Sequence, residues 1–175
     1  MQYISYYQCP LGKMLLTSQG TGLTGAWIDG AKYSAGYLER QQEQLELPEF
    51  AQAKEWLNIY FSGKMPKAAP PLDLKGSAFQ LAVWEILQMI PYGRTVTYGE
   101  IASEIAKKRG ISRMSAQAVG GAVGRNKISI IVPCHRVIGA DGSLTGYAGG
   151  LDKKRFLLAL EGAIDTEDKS KKQEV

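Results

Sequence analysis

The amino-acid sequence predicts an α/β (α+β) protein: a small N-terminal sheet with flanking helices, then a mainly helical C-terminal domain with a helix-turn-helix of winged-helix-like kind. Three observations carry that reading. The first 30 residues hold three short runs rich in β-branched and aromatic side chains, set apart by proline and glycine. The stretch MPKAAPPLDLKG, with three prolines, then separates two halves of the chain. Beyond it, two capping boxes, Ser77-x-x-Gln80 and Thr97-x-x-Glu100, announce helices. The expected domains are therefore 1–70 and 71–163, with a charged tail, 164–175, expected to be disordered.

Taken in order, YISYYQ, KMLLTS and LTGAWI read as strands, separated by Pro10-Leu11-Gly12 and Gly20-Thr21-Gly22. Helices are predicted near Ser34–Gln44 and over Glu49–Tyr60, where Phe50, Ala53, Trp56, Leu57 and Tyr60 fall at helical spacing. In the second half, AFQLAVWEILQMI follows the first capping box and ends at Pro91-Tyr92-Gly93. TYGEIASEIAKK follows the second; Lys107, Lys108 and Arg109 complement its C-terminal dipole before Gly110 breaks it. Ser112 or Ser115 caps a short helix running to about Gly124, giving two helices joined by a glycine-containing turn. ISIIV reads as a buried strand or extended segment, GADGS as a turn, and LDKKRFLLALEG as a last helix stopped by Gly162.

With 175 residues the chain can bury about 70% of its unfolded surface, so neither a metal nor a disulfide is needed to stabilise it. No apolar run nears the ~20 residues of a membrane span, and the N-terminus lacks a signal-peptide pattern. A cytoplasmic protein with reduced Cys9 and Cys134 is expected. The net charge of +4 is unevenly placed: residues 1–66 carry five basic and six acidic side chains, residues 67–175 sixteen and eleven. Lys107, Lys108, Arg109, Arg113, Arg125, Lys127 and Arg136 face only Glu100 and Glu104 between positions 100 and 136. Such a stretch fits a phosphate-backbone footprint or an ordinary solvated face. The helix AQAVGGAVG adds a second signal, since each helical glycine costs about 1 kcal/mol relative to alanine. Either another helix packs closely there, or a ligand's backbone approaches.

The only histidine, His135, follows one of the only two cysteines, Cys134. Neighbours in sequence do not face each other in a helix or strand, so adjacency alone makes no dyad. Pro133 biases Val132 toward extended geometry and leaves Cys134 where the chain exits a strand; there an irregular turn could aim a thiolate into a pocket and lower its pKa. His135 could take the thiol proton, directly or through a water, if a carboxylate held its other nitrogen. These residue types alone leave open an inert buried cysteine and a structural histidine.

PCHRVIGADG, together with PYGRTVTYGEIA, AVGGAVGRN, GYAGGLDKKRFLLALEG and AFQLAVWEIL, resembles the O6-alkylguanine-DNA alkyltransferase family, in order and with matching spacing over nearly all of Ser77–Gly162. The first half matches more loosely. The resemblance implies double-stranded DNA carrying O6-alkylguanine as partner, a flipped-out base, and single-use transfer of its alkyl group to a cysteine. By position, Cys134 would be the nucleophile, His135 its base and Glu161 the group orienting that histidine. Asn126 would brace the hinge, and Tyr98 would turn the 3′ phosphate and donate toward the guanine. Val137, Tyr147, Ala148 and Gly149 would line the base pocket, with Tyr147 stacking on the base. Tyr98, Gly99, Arg113, Ala116, Gln117, Gly120 and Arg125 would meet DNA, the second helix entering the minor groove. A monomer without a cofactor is implied.

Two departures stand out. Gln117 occupies the position of the family's intercalating arginine, and Ala148 stands where some relatives carry serine. Some relatives bind zinc in their first half; with only Cys9 and no histidine there, this chain is expected to bind no metal. Two rival readings exist: an alkyltransferase-like protein that binds damage without transfer, which Cys134 opposes, and a multiple-turnover thiol hydrolase.

Overall fold

The computed structural model describes residues 1–29, 31 and 42–165. Its first half is a four-stranded sheet of order β3-β2-β1-β4, formed by β1 (Gln2–Cys9), β2 (Gly12–Ser18), β3 (Leu23–Ile28) and β4 (Gln42–Gln44). β1, β2 and β3 pair antiparallel, while β4 runs parallel to β1. The three early strands are where the runs rich in β-branched and aromatic residues predict them. β4 corrects the expected helix: Gln42, Glu43 and Gln44 are exposed, and their backbone pairing with Gln2–Ile4 outweighs a polar sequence that favours no strand. The rest of that predicted helix, like the far end of the tail, lies outside the described residues.

Helix α1 (Pro48–Phe61) opens with proline in its first turn and buries Phe50, Ala53, Leu57 and Tyr60. Helix α2 (Ala78–Met89) and α3 (Tyr98–Arg109) each start with the predicted reciprocal capping box, at Ser77 and Thr97. Gly110 ends α3 in the left-handed region at φ 64°, where a Cβ would be strained. Of the two candidate caps for α4 (Ala116–Gly124), Ser115 is used. Trp84, fully buried, ties α2 to α4 by donating from Nε1 to the Ala122 carbonyl at 2.9 Å. Two-residue strands β5 (Val96–Thr97) and β6 (Val137–Ile138) pair in parallel beside α3, and among the described residues no hairpin wing accompanies the helices. Helix α5 (Leu151–Leu160) is the last helix among the described residues and is capped at its C-terminus by Glu161.

One continuous apolar core runs from Met14, Leu16 and Phe50 through Trp84 and Ile101 to Val119 and Val132. The two halves are therefore packed together, and the proline-rich connection is pinned rather than loose. Leu23 donates to the Pro71 carbonyl and Asp73 donates back to Leu23, both at 2.8 Å. Further along β3, Ala26 donates to the Lys127 carbonyl at 2.8 Å and accepts from Ser129 at 2.9 Å. The edge of β3 is thus covered, which removes an exposed pairing surface and anchors the segment that leads to Cys134.

Candidate functional site

That segment is neither strand nor extended chain. Between α4 and Pro133 the backbone coils through successive turns, with a single bridge from Ala26 to Ile128. Ile130 sits at φ 71°, a conformation that a β-branched residue adopts only at a cost. Hydrogen bonding holds it there. Asn126 donates from Nδ2 to the carbonyls of Ile128 (3.2 Å) and Val132 (2.8 Å) and accepts at Oδ1 from the Ile128 amide (3.0 Å). Asn126 therefore braces the approach to the thiol, and buried backbone groups that a strand would have paired are satisfied by its side chain.

Cys134 opens a single 3₁₀ turn, Cys134–Arg136, and is 8% exposed. Burial pushes its thiol above the ordinary range; Asn126 and the Lys154 ammonium pull the other way without winning. The irregular turn is present, but a three-residue turn carries too small a dipole to offset desolvation, so the expected lowering does not occur. His135 is fully buried, and burial lowers its proton affinity against the opposing pull of Glu161. Both shifts favour the uncharged forms, thiol and neutral imidazole, at pH 7.

The imidazole is held at one nitrogen. His135 Nε2 lies 2.7 Å from Glu161 Oε1; because a carboxylate only accepts, Nε2 carries the proton and Nδ1 keeps its lone pair. Nδ1 is buried and has no hydrogen-bond partner. Glu161 receives more than the histidine: Tyr60 donates to Oε1 at 2.7 Å, Arg136 reaches Oε2 from Nε at 2.9 Å and Oε1 from Nη2 at 3.0 Å, and the Gly93 amide lies 3.3 Å from Oε2. Although burial alone would raise it, His135 and Arg136 hold the carboxyl at about 2. Arg136, counted by sequence among the basic footprint, is in fact buried and committed to Glu161 and the Ile90 carbonyl.

Lys154 went unrecognised because a lysine near the start of an exposed helix reads as solvated. It is fully buried, donating to the carbonyls of Val137 (2.5 Å), Thr145 (2.9 Å) and Gly146 (3.5 Å). Burial brings its pKa down to about 8, with the Cys134 sulfur pulling it back up. The lysine thereby ties the 145–146 loop to the strand that follows the thiol.

A cleft of about 450 Å³ is lined by Tyr98, Gly120, Gly121, Gly124, Arg125, Gly146, Tyr147 and Ala148. Tyr98 and Tyr147 both feel the Cys134 sulfur, and burial together with that sulfur raises the Tyr147 hydroxyl well above its usual range. Tyr98 donates to the Thr145 carbonyl at 2.9 Å. Val137 and Gly149, expected in the pocket wall, do not line this cleft. The Val137 carbonyl is taken by Lys154, and a Cβ on Gly149 would stand 3.0 Å from the Tyr147 ring. A second cleft, about 660 Å³, lies between α3 and the start of α4 and includes Gly99, Arg113, Ser115 and Ala116; Gln117 is exposed on α4 and lines neither. Packing does not account for the α4 glycines: a Cβ on Gly120 would make ordinary contact with Tyr98 at 3.7 Å, and one on Gly121 or Gly124 would meet nothing within 4 Å. Among the described residues, no three His, Cys, Asp or Glu side chains converge as metal ligands, and no helix is long and apolar enough to cross a membrane.

Comparison with known proteins gives a consistent picture. Residues 2–74 match the family described as 6-O-methylguanine DNA methyltransferase, ribonuclease-like domain, and residues 78–163 the same family's DNA binding domain. A methylated-DNA–protein-cysteine methyltransferase of Haemophilus influenzae is 42% identical over 160 residues, covering 91% of this chain and 86% of that one. One of the same name from Mycolicibacterium paratuberculosis is 46% identical over 155 residues, 87% of each chain. The crystal structure of Mycobacterium tuberculosis OGT in complex with DNA superposes with a TM-score of 0.79 at 40% identity, covering 92% of this chain and 93% of that one. A Methanococcus jannaschii O6-methylguanine DNA methyltransferase gives 0.63 at 28% identity, over 91% and 94%.

Proposed function

Since the chain belongs to the 6-O-methylguanine DNA methyltransferase family, we propose that it repairs duplex DNA by moving the alkyl group of O6-alkylguanine to its own Cys134, once per molecule. The observation that carries this reading is a buried imidazole whose Nε2 is committed to Glu161 and whose Nδ1 is unpartnered, in the residue that directly follows a buried free thiol. Such a nitrogen is fit to accept one proton and is held too rigidly to do much else.

In this reading DNA meets α3 and α4, and the damaged base swings out into the cleft beside Tyr98 and Tyr147. Flipping costs a few kcal/mol, least for a badly paired base, which contributes to selectivity. The glycines of α4 give the DNA backbone clearance that protein packing leaves unused. His135 Nδ1 takes the thiol proton, directly or through one water. The sulfur attacks the alkyl carbon in line, so an S–C bond forms as the C–O6 bond breaks. Guanine departs as an anion, and Tyr98, released from the Thr145 carbonyl, donates toward it. Lys154 stabilises the transient negative sulfur. No hydrolytic water is present in this scheme, so the thioether persists.

A monomer suffices, since every group of the relay comes from one chain. Both cysteines are free thiols, which suits a reducing cytoplasm. The retained Cys134 opposes a purely damage-binding role. The test is intact-mass analysis after incubation with excess O6-methylguanine duplex. Wild type should plateau at one added methyl, and Cys134→Ala should bind the duplex without gaining any. Methyl transfer to the alanine variant would remove Cys134 from its role, and steady multiple turnover would favour a hydrolase.

A further inference from the structure

We infer that Tyr60 of α1 is a positioning residue for the transfer: by donating to the same Glu161 oxygen as the imidazole, it sets how firmly that carboxylate holds the Nε2 proton and thereby tunes His135 Nδ1 as a base. The inference deepens the alkyl-transfer reading and rests on it for its kinetic arm.

The argument begins with acceptor capacity. A carboxylate oxygen offers two lone pairs, yet Glu161 Oε1 is approached by three donors: Tyr60 Oη at 2.7 Å, His135 Nε2 at 2.7 Å and Arg136 Nη2 at 3.0 Å. The three share it, and each is weaker than it would be alone. Arg136 cannot withdraw, being buried with its Nε on the other oxygen at 2.9 Å. The variable contact is therefore the phenol. Its oxygen lies 3.4 Å from His135 Nε2, too far to serve as a good substitute acceptor for that proton. Burial, reinforced by Glu161, raises the Tyr60 hydroxyl far above its ordinary range, so it stays a donor at every pH the protein meets.

Aromatic packing fixes the position of the ring, and with it the direction of the hydroxyl. It is fully buried, stacks on Trp56 at 5.4 Å and 7°, and meets Tyr92 (6.1 Å, 78°) and the His135 ring (6.4 Å, 73°) edge to face. Besides Tyr60, the charged groups that act on His135 are Arg136 in its own turn and Lys154 and Glu161 at the two ends of α5. Lys154 and Arg136 both lower its proton affinity, and Glu161 raises it. Tyr60 is the contribution of the first half of the chain to a relay otherwise built from the second.

Removing the hydroxyl frees part of Oε1 for Nε2–H, which favours the imidazolium. In Tyr60→Phe, His135 should titrate about half a unit or more above wild type, the scale of one shared hydrogen bond to a charged group. The acid limb of the single-turnover rate should move to higher pH with it, at unchanged duplex affinity. Because His135 is the only histidine, its imidazole NMR resonances are unique, and the resting full-length protein can be titrated without DNA. Replacing Tyr60 by 3-fluorotyrosine, a near-isosteric and stronger donor, should move both readouts downward. Superimposable titrations for wild type and both variants, or shifts of the opposite sign, would overturn the inference. A merely structural role would change melting temperature and leave both profiles in place. A wild type that gains no methyl would sink the alkyl-transfer reading but leave the His135 comparison to decide on Tyr60.

Discussion

Replacing Glu161 by glutamine should destabilise the protein in a pH-dependent way that the geometry specifies. The carboxyl is fully buried, and its pKa falls from 4.5 to about 2 although burial pulls it upward, because hydrogen bonds from His135 and Arg136 more than offset desolvation. With His135 neutral at pH 7, the ionic partner there is Arg136, and the imidazole adds an N–H donor. At about 1.4 kcal/mol per unit, a drop of this size corresponds to roughly 3 kcal/mol. The sign follows from linkage: a depressed carboxyl contributes its full stability above about 4.5 and loses it as pH falls toward 2. Glutamine retains one acceptor oxygen but turns an amide toward Arg136 or the Gly93 amide, leaving a buried guanidinium half-paired. Urea unfolding at pH 7 should therefore show the variant roughly 3 kcal/mol less stable, with the gap narrowing as both proteins are taken toward pH 3. A gap below about 1 kcal/mol at pH 7, or one constant down to pH 3, would refute the reasoning.

Lys154→Met should change the alkaline side instead. Burial holds the ammonium near 8, so wild type carries its penalty below that pH and recovers stability as pH rises toward 10.5; the wild-type-minus-variant difference should grow by roughly 3 kcal/mol across that window, and parallel curves would discount the buried cation. Gly121→Leu should fold with unchanged or higher melting temperature, since its Cβ meets open space, while transfer on duplex DNA falls at least about tenfold, a cost of about 1.4 kcal/mol; full activity would show that no ligand approaches that face. Gln117→Arg should strengthen duplex binding by about 1 kcal/mol and steepen its salt dependence, and unchanged titrations at two salt concentrations would mean that another residue already fills the gap.

What could be read from sequence was local. The first three strands announce themselves because strand-forming residues and turn residues act within a few positions, and Ser77 and Thr97 cap their helices with partners three residues away. β4 could not be read, because its only strand character is a backbone ladder to Gln2–Ile4. The segment before Cys134 looks like a strand for its isoleucines, yet Ala26 and Asn126 coil it from a distance in sequence, against the preference of Ile130. Of the candidate site, the neighbours Cys134 and His135 and the distant Glu161 were recognisable as a motif. Tyr60 read only as one more residue at helical spacing, Arg136 as part of the basic stretch, and Lys154 gave no signal of its own. Burial, which sequence position does not reveal, makes Tyr60 and Arg136 partners of Glu161 and sets Lys154 on the backbone that follows the thiol.

The neutral resting state fits a nucleophile used once. A standing thiolate is the form that oxidants and metals attack, and for a protein that spends its sulfur on a single event each such loss is final. Burial keeps the proton on Cys134 and off His135, so charge separation waits for a bound electrophile. What the site holds ready is the surroundings of that later charge: a lone pair on Nδ1, a buried lysine whose ammonium a thiolate favours once it forms, and a carboxylate that fixes the imidazole from the far side. Substrate binding then has to supply only displacement geometry and exclusion of water, in which each of these groups acts more strongly than in solution.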